Sequence, residues 1–256
     1  MIRLFAVNIS PLKDERCFRK CYLRSTEERQ MQADVLKMPE DKARCIAAGL
    51  LLENAYKKFR TEKLKELANA NSFEYTQKPE DAEGLPEKLP KVRAGLGGKP
   101  EFVFSEGMTQ EVYFNLSHSG DYVICAMADF EVGADVQRRT GVRESLLRRF
   151  FSAEEKKRVE LCPEEEEKEK IFAAIWAVKE AEAKLTGRGI RQLLGRMLKG
   201  NDEEASGEEI YGVWQGELDE AYAWAVAGYR EEVLCEPDTL RPVMVDEGEV
   251  FYEGTV

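Results

Sequence analysis

Two segments of the chain carry carboxylates at spacings that could hold a cation. Glu131-Val132-Gly133-Ala134-Asp135-Val136-Gln137 alternates between two kinds of residue. On a strand, period two places Val132, Ala134 and Val136 on a core face and sends Asp135 and Gln137 out together from the other, with Gly133 leaving room beside them. Two oxygen-bearing side chains at i and i+2 are a sound start for a hard cation such as magnesium. Taken alone, an ordinary half-buried strand with a solvated polar face explains the segment better. In the second segment Ile171, Ala174, Ile175, Val178, Ala181 and Leu185 form an apolar stripe at helical spacing, and Trp176, Glu180 and Lys184 line another face. Taken alone, a Glu180–Lys184 helix ion pair, worth ~0.3–0.5 kcal/mol, accounts for it.

Two further segments suit anions. Phe114-Asn115-Leu116-Ser117-His118-Ser119-Gly120-Asp121 holds the single histidine of the chain and reads as a small polar turn between two strands. Such a turn can present imidazole, hydroxyls and backbone N–H groups to an anion. Gly95-Leu96-Gly97-Gly98-Lys99-Pro100 allows close backbone approach and adds a positive charge. It lacks the spacing and the Ser/Thr of a P-loop, and in isolation a plain turn is the stronger reading.

The elements around these segments alternate between strand and helix patterns. Residues 1–10 read as a strand. Thr26 starts one helix; Pro39-Glu40-Asp41 starts another, whose apolar pattern (Ile46, Ala47, Leu50, Leu51) runs on towards Phe59. Residues 76–100 read as a loop. Glu101–Phe104, Val112–Leu116, Tyr122–Asp129 and Val132–Val136 read as strands, and Leu146–Phe151 as helical. Ser152-Ala153-Glu154-Glu155 is a capping-box pattern, and a long helix is expected over 166–186. Tyr211–Glu217 and Ala221–Tyr229 read as a hairpin, and the stretch after Pro237 as an extension.

Bulk properties bound the function. The chain has 256 residues, 43% hydrophobic, so a core can be buried; 34% are charged, which reads as soluble and cytoplasmic. A net charge of −11 argues against a protein that tracks nucleic acid. No apolar run approaches the ~20 residues needed to span a membrane. Cys17, Cys21, Cys45, Cys125, Cys162 and Cys235 form no Cys-x-x-Cys pair and are expected as reduced thiols.

The order of the four segments is more specific than any one of them. Gly98-Lys99-Pro100, then Asn115-Leu116-Ser117-His118-Ser119, then Gly133-Ala134-Asp135-Val136, then Trp176-x-x-Lys179-Glu180-Ala181-x-x-Lys184, followed by Gly187-Arg188-Gly189-Ile190, resembles the Sfp-type 4′-phosphopantetheinyl transferases over about residues 37–190. The resemblance implies an α+β fold: a pseudo-twofold pair of subdomains, each a small antiparallel sheet packed on a long helix, divided at 1–131 and 132–256. A weak similarity at an offset of 126, in which Lys42, Ala47, Ala48, Ala55 and Lys58 meet Lys168, Ala173, Ala174, Ala181 and Lys184, agrees with two similar halves.

The resemblance also implies roles. The expected activity is transfer of 4′-phosphopantetheine from coenzyme A to a serine of an apo acyl or peptidyl carrier protein, with magnesium or manganese. Asp135 and Glu180 match the metal-binding acids. Where the family usually shows an acid, Gln137 stands as a neutral third ligand. Gly98, Lys99 and Pro100 match the loop at the adenine end of coenzyme A, and Ser117 and His118 the phosphate-binding turn. Lys179 and Lys184 match the pyrophosphate lysines; Arg44 matches a basic residue near the 3′-phosphate, a place Lys37 or Lys42 could fill instead. Glu180, Lys184 and His118 are the expected catalytic groups. Arg138, Arg139, Arg143, Arg148 and Arg149, with exposed Phe150 or Phe151, are the expected dock for an acidic carrier protein, and a monomer is expected. Two other readings are a non-catalytic relative that binds coenzyme A or a carrier protein, and a metal-dependent hydrolase of nucleotide pyrophosphates.

Overall fold

The computed structural model describes residues 1–71, 86–104, 112–190, 211–229 and 240–252. It is a mixed α+β fold in which two small sheets are each backed by one long helix. The first sheet is ordered β4 (Tyr113–Ser119), β5 (Tyr122–Ala128), β1 (Ile2–Asn8), β9 (Pro242–Met244). The second is ordered β6 (Val132–Arg138), β8 (Tyr222–Tyr229), β7 (Tyr211–Asp219). A separate hairpin pairs β2 (Lys91–Ala94) with β3 (Pro100–Val103).

The first sheet is buried on both faces, which is why β1 reads as a nearly continuous apolar run. Phe5, Val7, Cys125 and Met127 turn towards α3 (Pro39–Asn71), meeting Ile46, Leu51, Tyr56 and Phe59. Ile2, Leu4, Ala6, Ile124 and Ala126 turn the other way and pack on Val132, Ala134, Val136, Trp224 and Val226 of the second sheet. The period-two alternation of a strand therefore serves two cores at once. On the far side of the second sheet, α6 (Glu165–Thr186) sets Ala177, Ala181 and Leu185 against Ala225 and Ala227. The layers run α3, first sheet, second sheet, α6.

Local signals account for the ends of these elements. Pro39 opens α3, with Glu40 and Asp41 in the first turn, where acids favour the helix N-terminus. The apolar pattern towards Phe59 continues, and the helix ends at Asn71. Ser152 and Glu155 form the expected capping box of α5 (Ala153–Glu160), which follows α4 (Glu144–Phe150). Glu165, Glu166 and Glu167 begin α6, and Gly187, in the left-handed region at φ 65°, ends it. Two short helices, α1 (Glu15–Arg24) and α2 (Glu27–Asp34), flank α3.

Three expectations change. The strand expected over Val112–Leu116 runs on through Ser117-His118-Ser119, which read as a turn in the sequence: β4 is paired with β5 from Phe114↔Met127 to Ser119↔Tyr122, and only Gly120-Asp121 turns. Residues 91–94, expected within a loop, are strand β2, while 76–85 lie outside the described residues. Beyond Pro237, residues 240–252 return to the first half. There β9 runs parallel to β1, and Val245, Val250 and Phe251 join the core under α3. The five cysteines among the described residues are free thiols, and no helix among them is long and apolar enough to cross a membrane.

Candidate active site at the seam of the two sheets

β4 and β6 are edge strands of different sheets, and side chains join them. Asn115 Oδ1 accepts from Ala134 N–H at 3.0 Å, Ser117 Oγ from Val136 N–H at 3.3 Å, and Ser119 Oγ from Arg138 N–H at 3.0 Å. Every second residue of β4 thus satisfies every second N–H of β6, two strands running in parallel. This seam substitutes for a backbone ladder and gives three N–H groups of the β6 edge their acceptors. It also fixes where Asp135, between two of the anchored positions, can point. Sequence reasoning assigned nothing to Asn115 or Ser119. Their i, i+2, i+4 spacing with Ser117 was the available signal.

Asp135 is buried, with 3% of its surface exposed, rather than on a solvated face. Its Oδ1 accepts from Ser117 Oγ at 2.7 Å and from Lys184 Nζ at 2.6 Å; its Oδ2 accepts from Gln137 Nε2 at 2.8 Å. Lys184 also donates to Ser117 Oγ at 2.8 Å. A buried carboxylate is tolerable only when paired and hydrogen-bonded in this way. The room expected beside Gly133 is taken by α6: a methyl group there would overlap the Ala181 carbonyl and the Leu185 backbone. That close approach brings the Lys184 ammonium onto Asp135.

Glu180 stands one turn before Lys184 on α6, half-buried. Its carboxyl pKa is raised first by burial and then by the negative charge of Asp135; Lys184 and Arg143 oppose the rise. Two like charges held together in a partly dehydrated place favour a cation. The residues therefore fit a divalent ion, with Asp135 and Glu180 as charged ligands. Among the described residues no cluster of three His, Cys, Asp or Glu side chains could hold a metal, and the side chain next to Asp135 is the neutral amide of Gln137. Gln137 turns its amide nitrogen to Asp135, while its oxygen accepts from Arg143 at 3.4 Å. A rotation of the amide would exchange the two.

The remaining expected residues divide. His118 lies on β4 next to Ser117. Its pKa is lowered by partial burial, then by the positive charges of Arg44 and Lys184, even though solvent still reaches the ring. Arg44, on α3, donates to the Gly120 carbonyl at 3.1 Å and pairs with Asp41 at 2.5 Å. Ser117, His118, Arg44, Asp135, Gln137, Glu180 and Lys184 thus gather around one end of the seam. Lys179 does not join them: it pairs with Glu155 of α5 at 2.9 Å and lies over the Phe151 ring. The Lys99 ammonium is committed to Glu131 and to the Leu185 carbonyl. Gly98 and Pro100 stand at the β2–β3 tip, where Gly97 meets Gly187.

The basic stretch is also redistributed. Arg139 is taken up by Glu217 and the Glu220 carbonyl. Phe150 and Phe151 are buried against Trp176 and Phe172. Arg138, Arg143, Arg148 and Arg149 remain exposed, Arg143 lying over the Trp176 and Phe172 rings.

The 4′-phosphopantetheinyl transferase superfamily matches residues 131–227. The 4′-phosphopantetheinyl transferase psf-1 of Bacillus pumilus is 44% identical over 78 residues, 30% of this chain and 33% of that protein. HetI of Nostoc sp. (strain PCC 7120) is 42% identical over 83 residues, 31% and 35% of the two chains. Sfp of Bacillus subtilis (strain 168) is 32% identical over 80 residues, 31% and 35%. The chain spans about a third of the length of each of these three relatives. The resemblance read from the motifs agrees with these findings: over residues 131–227, which bear Asp135, Gln137, Glu180 and Lys184, this chain matches the 4′-phosphopantetheinyl transferase superfamily, and Sfp of Bacillus subtilis is among the proteins it is similar to.

Proposed function

We propose that this protein transfers 4′-phosphopantetheine from coenzyme A to a serine hydroxyl of an apo carrier protein, releasing 3′,5′-ADP. The observation that carries the proposal is the meeting of Asp135, Glu180, Lys184 and Ser117 at one end of the β4–β6 seam, with His118 and Arg44 alongside.

The reaction breaks the phosphoanhydride of coenzyme A and forms a serine phosphoester, so positioning and charge stabilisation are the work required. Arg44, His118 and Lys184 come from α3, β4 and α6 and can meet the phosphates of a single ligand from three sides. Ser117 adds a hydroxyl that already bridges Lys184 and Asp135. Glu180 is the base: its raised pKa improves its match to a proton leaving a serine hydroxyl. The proton goes to the Glu180 carboxylate, the serine oxygen forms the new bond to phosphorus, and the bridging oxygen departs with 3′,5′-ADP. Asp135 and Glu180, with Gln137 as a neutral member, would hold magnesium, which supplies Lewis-acid neutralisation of the pyrophosphate oxygens when bound.

The remaining exposed arginines, Arg138, Arg143, Arg148 and Arg149, form the docking surface for an acidic carrier protein. The test is incubation with coenzyme A, magnesium and an apo carrier protein, followed by mass spectrometry of the carrier. A phosphopantetheine addition supports the proposal. Binding of coenzyme A without transfer would instead mark a non-catalytic relative, and carrier-independent release of 3′,5′-ADP a hydrolase.

A further inference from the structure

We propose that the Lys99 side chain is a positioning residue, which ties together the two elements bearing the acids and does not itself touch coenzyme A. The inference rests on the function proposed above. Lys99 Nζ donates to the Glu131 carboxylate and, at 3.0 Å, to the Leu185 carbonyl oxygen. Glu131 immediately precedes β6, the strand of Asp135. Leu185 immediately follows Lys184 in the last turn of α6. One ammonium, on a side chain only 10% exposed, therefore joins the start of the Asp135 strand to the end of the Glu180 helix. A cation on a C-terminal carbonyl also satisfies an acceptor that the helix leaves open and complements the negative end of its dipole.

A second feature holds the loop where this bond can form. Gly97 and Gly187 both adopt left-handed conformations, at φ 63° and 65°. A methyl group on Gly97 would overlap the Gly187 carbonyl, and one on Gly187 would come within 2.7 Å of the Leu96 carbonyl oxygen. The tip of the β2–β3 hairpin is thus seated backbone to backbone on the turn that ends α6. To reach a ligand, the Lys99 ammonium would have to leave both of its partners.

The experiment compares the full-length protein with Lys99→Met and Glu131→Gln, variants that remove the pair from either end, and with Lys99→Arg, which keeps donors for both oxygens. Four quantities are read: the dissociation constant of coenzyme A by calorimetry, kcat, the magnesium concentration giving half-maximal rate, and amide hydrogen exchange in the last turn of α6. For Lys99→Met the magnesium requirement should rise about tenfold, as for loss of an outer-shell partner of a metal site. Exchange at Thr186 and Gly187 should quicken. The coenzyme A dissociation constant should stay within about twofold, a factor worth less than ~0.5 kcal/mol. Glu131→Gln should show the same pattern and Lys99→Arg should recover most of it. A weakened coenzyme A affinity with an unchanged magnesium requirement would make Lys99 a ligand contact and overturn the inference, as would no change in any of the four. Should Lys99→Met not fold, Glu131→Gln decides by the same criteria. A native protein that neither binds coenzyme A nor modifies a carrier would sink the functional proposal itself, a result separable from either outcome for Lys99.

Discussion

The Lys184 ammonium lies 2.6 Å from Asp135 Oδ1 and 2.8 Å from Ser117 Oγ, so that α6, β6 and β4 meet at one charge. Spacing along the helix pointed instead to an ion pair with Glu180, four residues before it. The difference arises because Gly133 lets α6 approach β6 until the lysine reaches across, and a buried carboxylate is a stronger attractor than a half-exposed one. Replacing Lys184 with Met removes the only cation bonded to Asp135 among the described residues. The variant should lose about 1–3 kcal/mol of stability, measured by urea unfolding. Asp135→Asn should suppress most of that loss in the double variant. A Lys184→Met protein as stable as the parent would show the contact to be energetically empty.

Gln137 presents its amide nitrogen to Asp135 Oδ2, so the neutral residue already serves as a donor to the acid beside it. Gln137→Glu replaces that donor with a third carboxylate. Two effects of opposite sign follow. Without divalent cation, the like charges repel and the melting temperature should fall. With magnesium, the added charge should lower the concentration needed for half-maximal activity by about tenfold, ~1.4 kcal/mol. Thermal melts with and without magnesium, together with a magnesium titration of the rate, give both signs. An unchanged magnesium requirement would place Gln137 outside the cation's reach.

Much of this arrangement was legible in the sequence, and the parts that were not share a cause. The apolar stripe of α6, the alternation of β6 and the cap at Ser152 are local patterns with local consequences, and each produced its element. Asn115-Leu116-Ser117-His118-Ser119 has the composition of a turn, yet its register with β5 makes it a strand. A polar residue on an edge strand reads as solvent-facing whether it meets water or the N–H of another sheet, so Asn115 and Ser119 carried no mark of the seam. Phe150 and Phe151 read as exposed beside a run of arginines. Only the tertiary packing of Phe172 and Trp176, one turn apart on α6, explains their burial. Lys99 read as a ligand because its partners, Glu131 and Leu185, are far from it in sequence.

The proposed docking surface is narrower than the arginine count suggested. Arg139 is occupied by Glu217 and Glu220, whereas Arg148 and Arg149 are exposed on α4. Arg149 leans over Phe150, which gives the charge a fixed place. Reversing both to Glu should raise the apparent KM for an acidic carrier protein by about tenfold or more at low salt, and the effect should shrink as salt is added. The KM for coenzyme A should not move. Unaltered carrier kinetics at every ionic strength would remove this face from the docking surface.

His118 offers a test through pH. Its ring faces Arg44 and Asp41 of α3 and Lys184 of α6, and partial burial with the two cations lowers its pKa below the ordinary 6.5. In the window between that lowered value and 6.5, the unfolded chain holds a proton that the folded chain has released. Stability therefore rises with pH across the window. The contribution is fully present above 6.5 and is lost as pH falls through the folded value. Solvent still reaches the ring, so the slope is shallow. His118 is the one histidine of the chain, and comparing the protein with His118→Asn cancels the carboxylates common to both. Urea unfolding from pH 5 to 8, without divalent cation, should show the parent gaining stability relative to His118→Asn as pH rises towards 6.5. Above that the difference should be constant. The same variant should weaken coenzyme A binding more than it weakens that of a 3′-dephosphorylated or phosphate-free analogue, since the imidazole and Arg44 stand together. Parallel stability curves would mean that His118 titrates alike in both states and that the positive charges around it do not act on the ring.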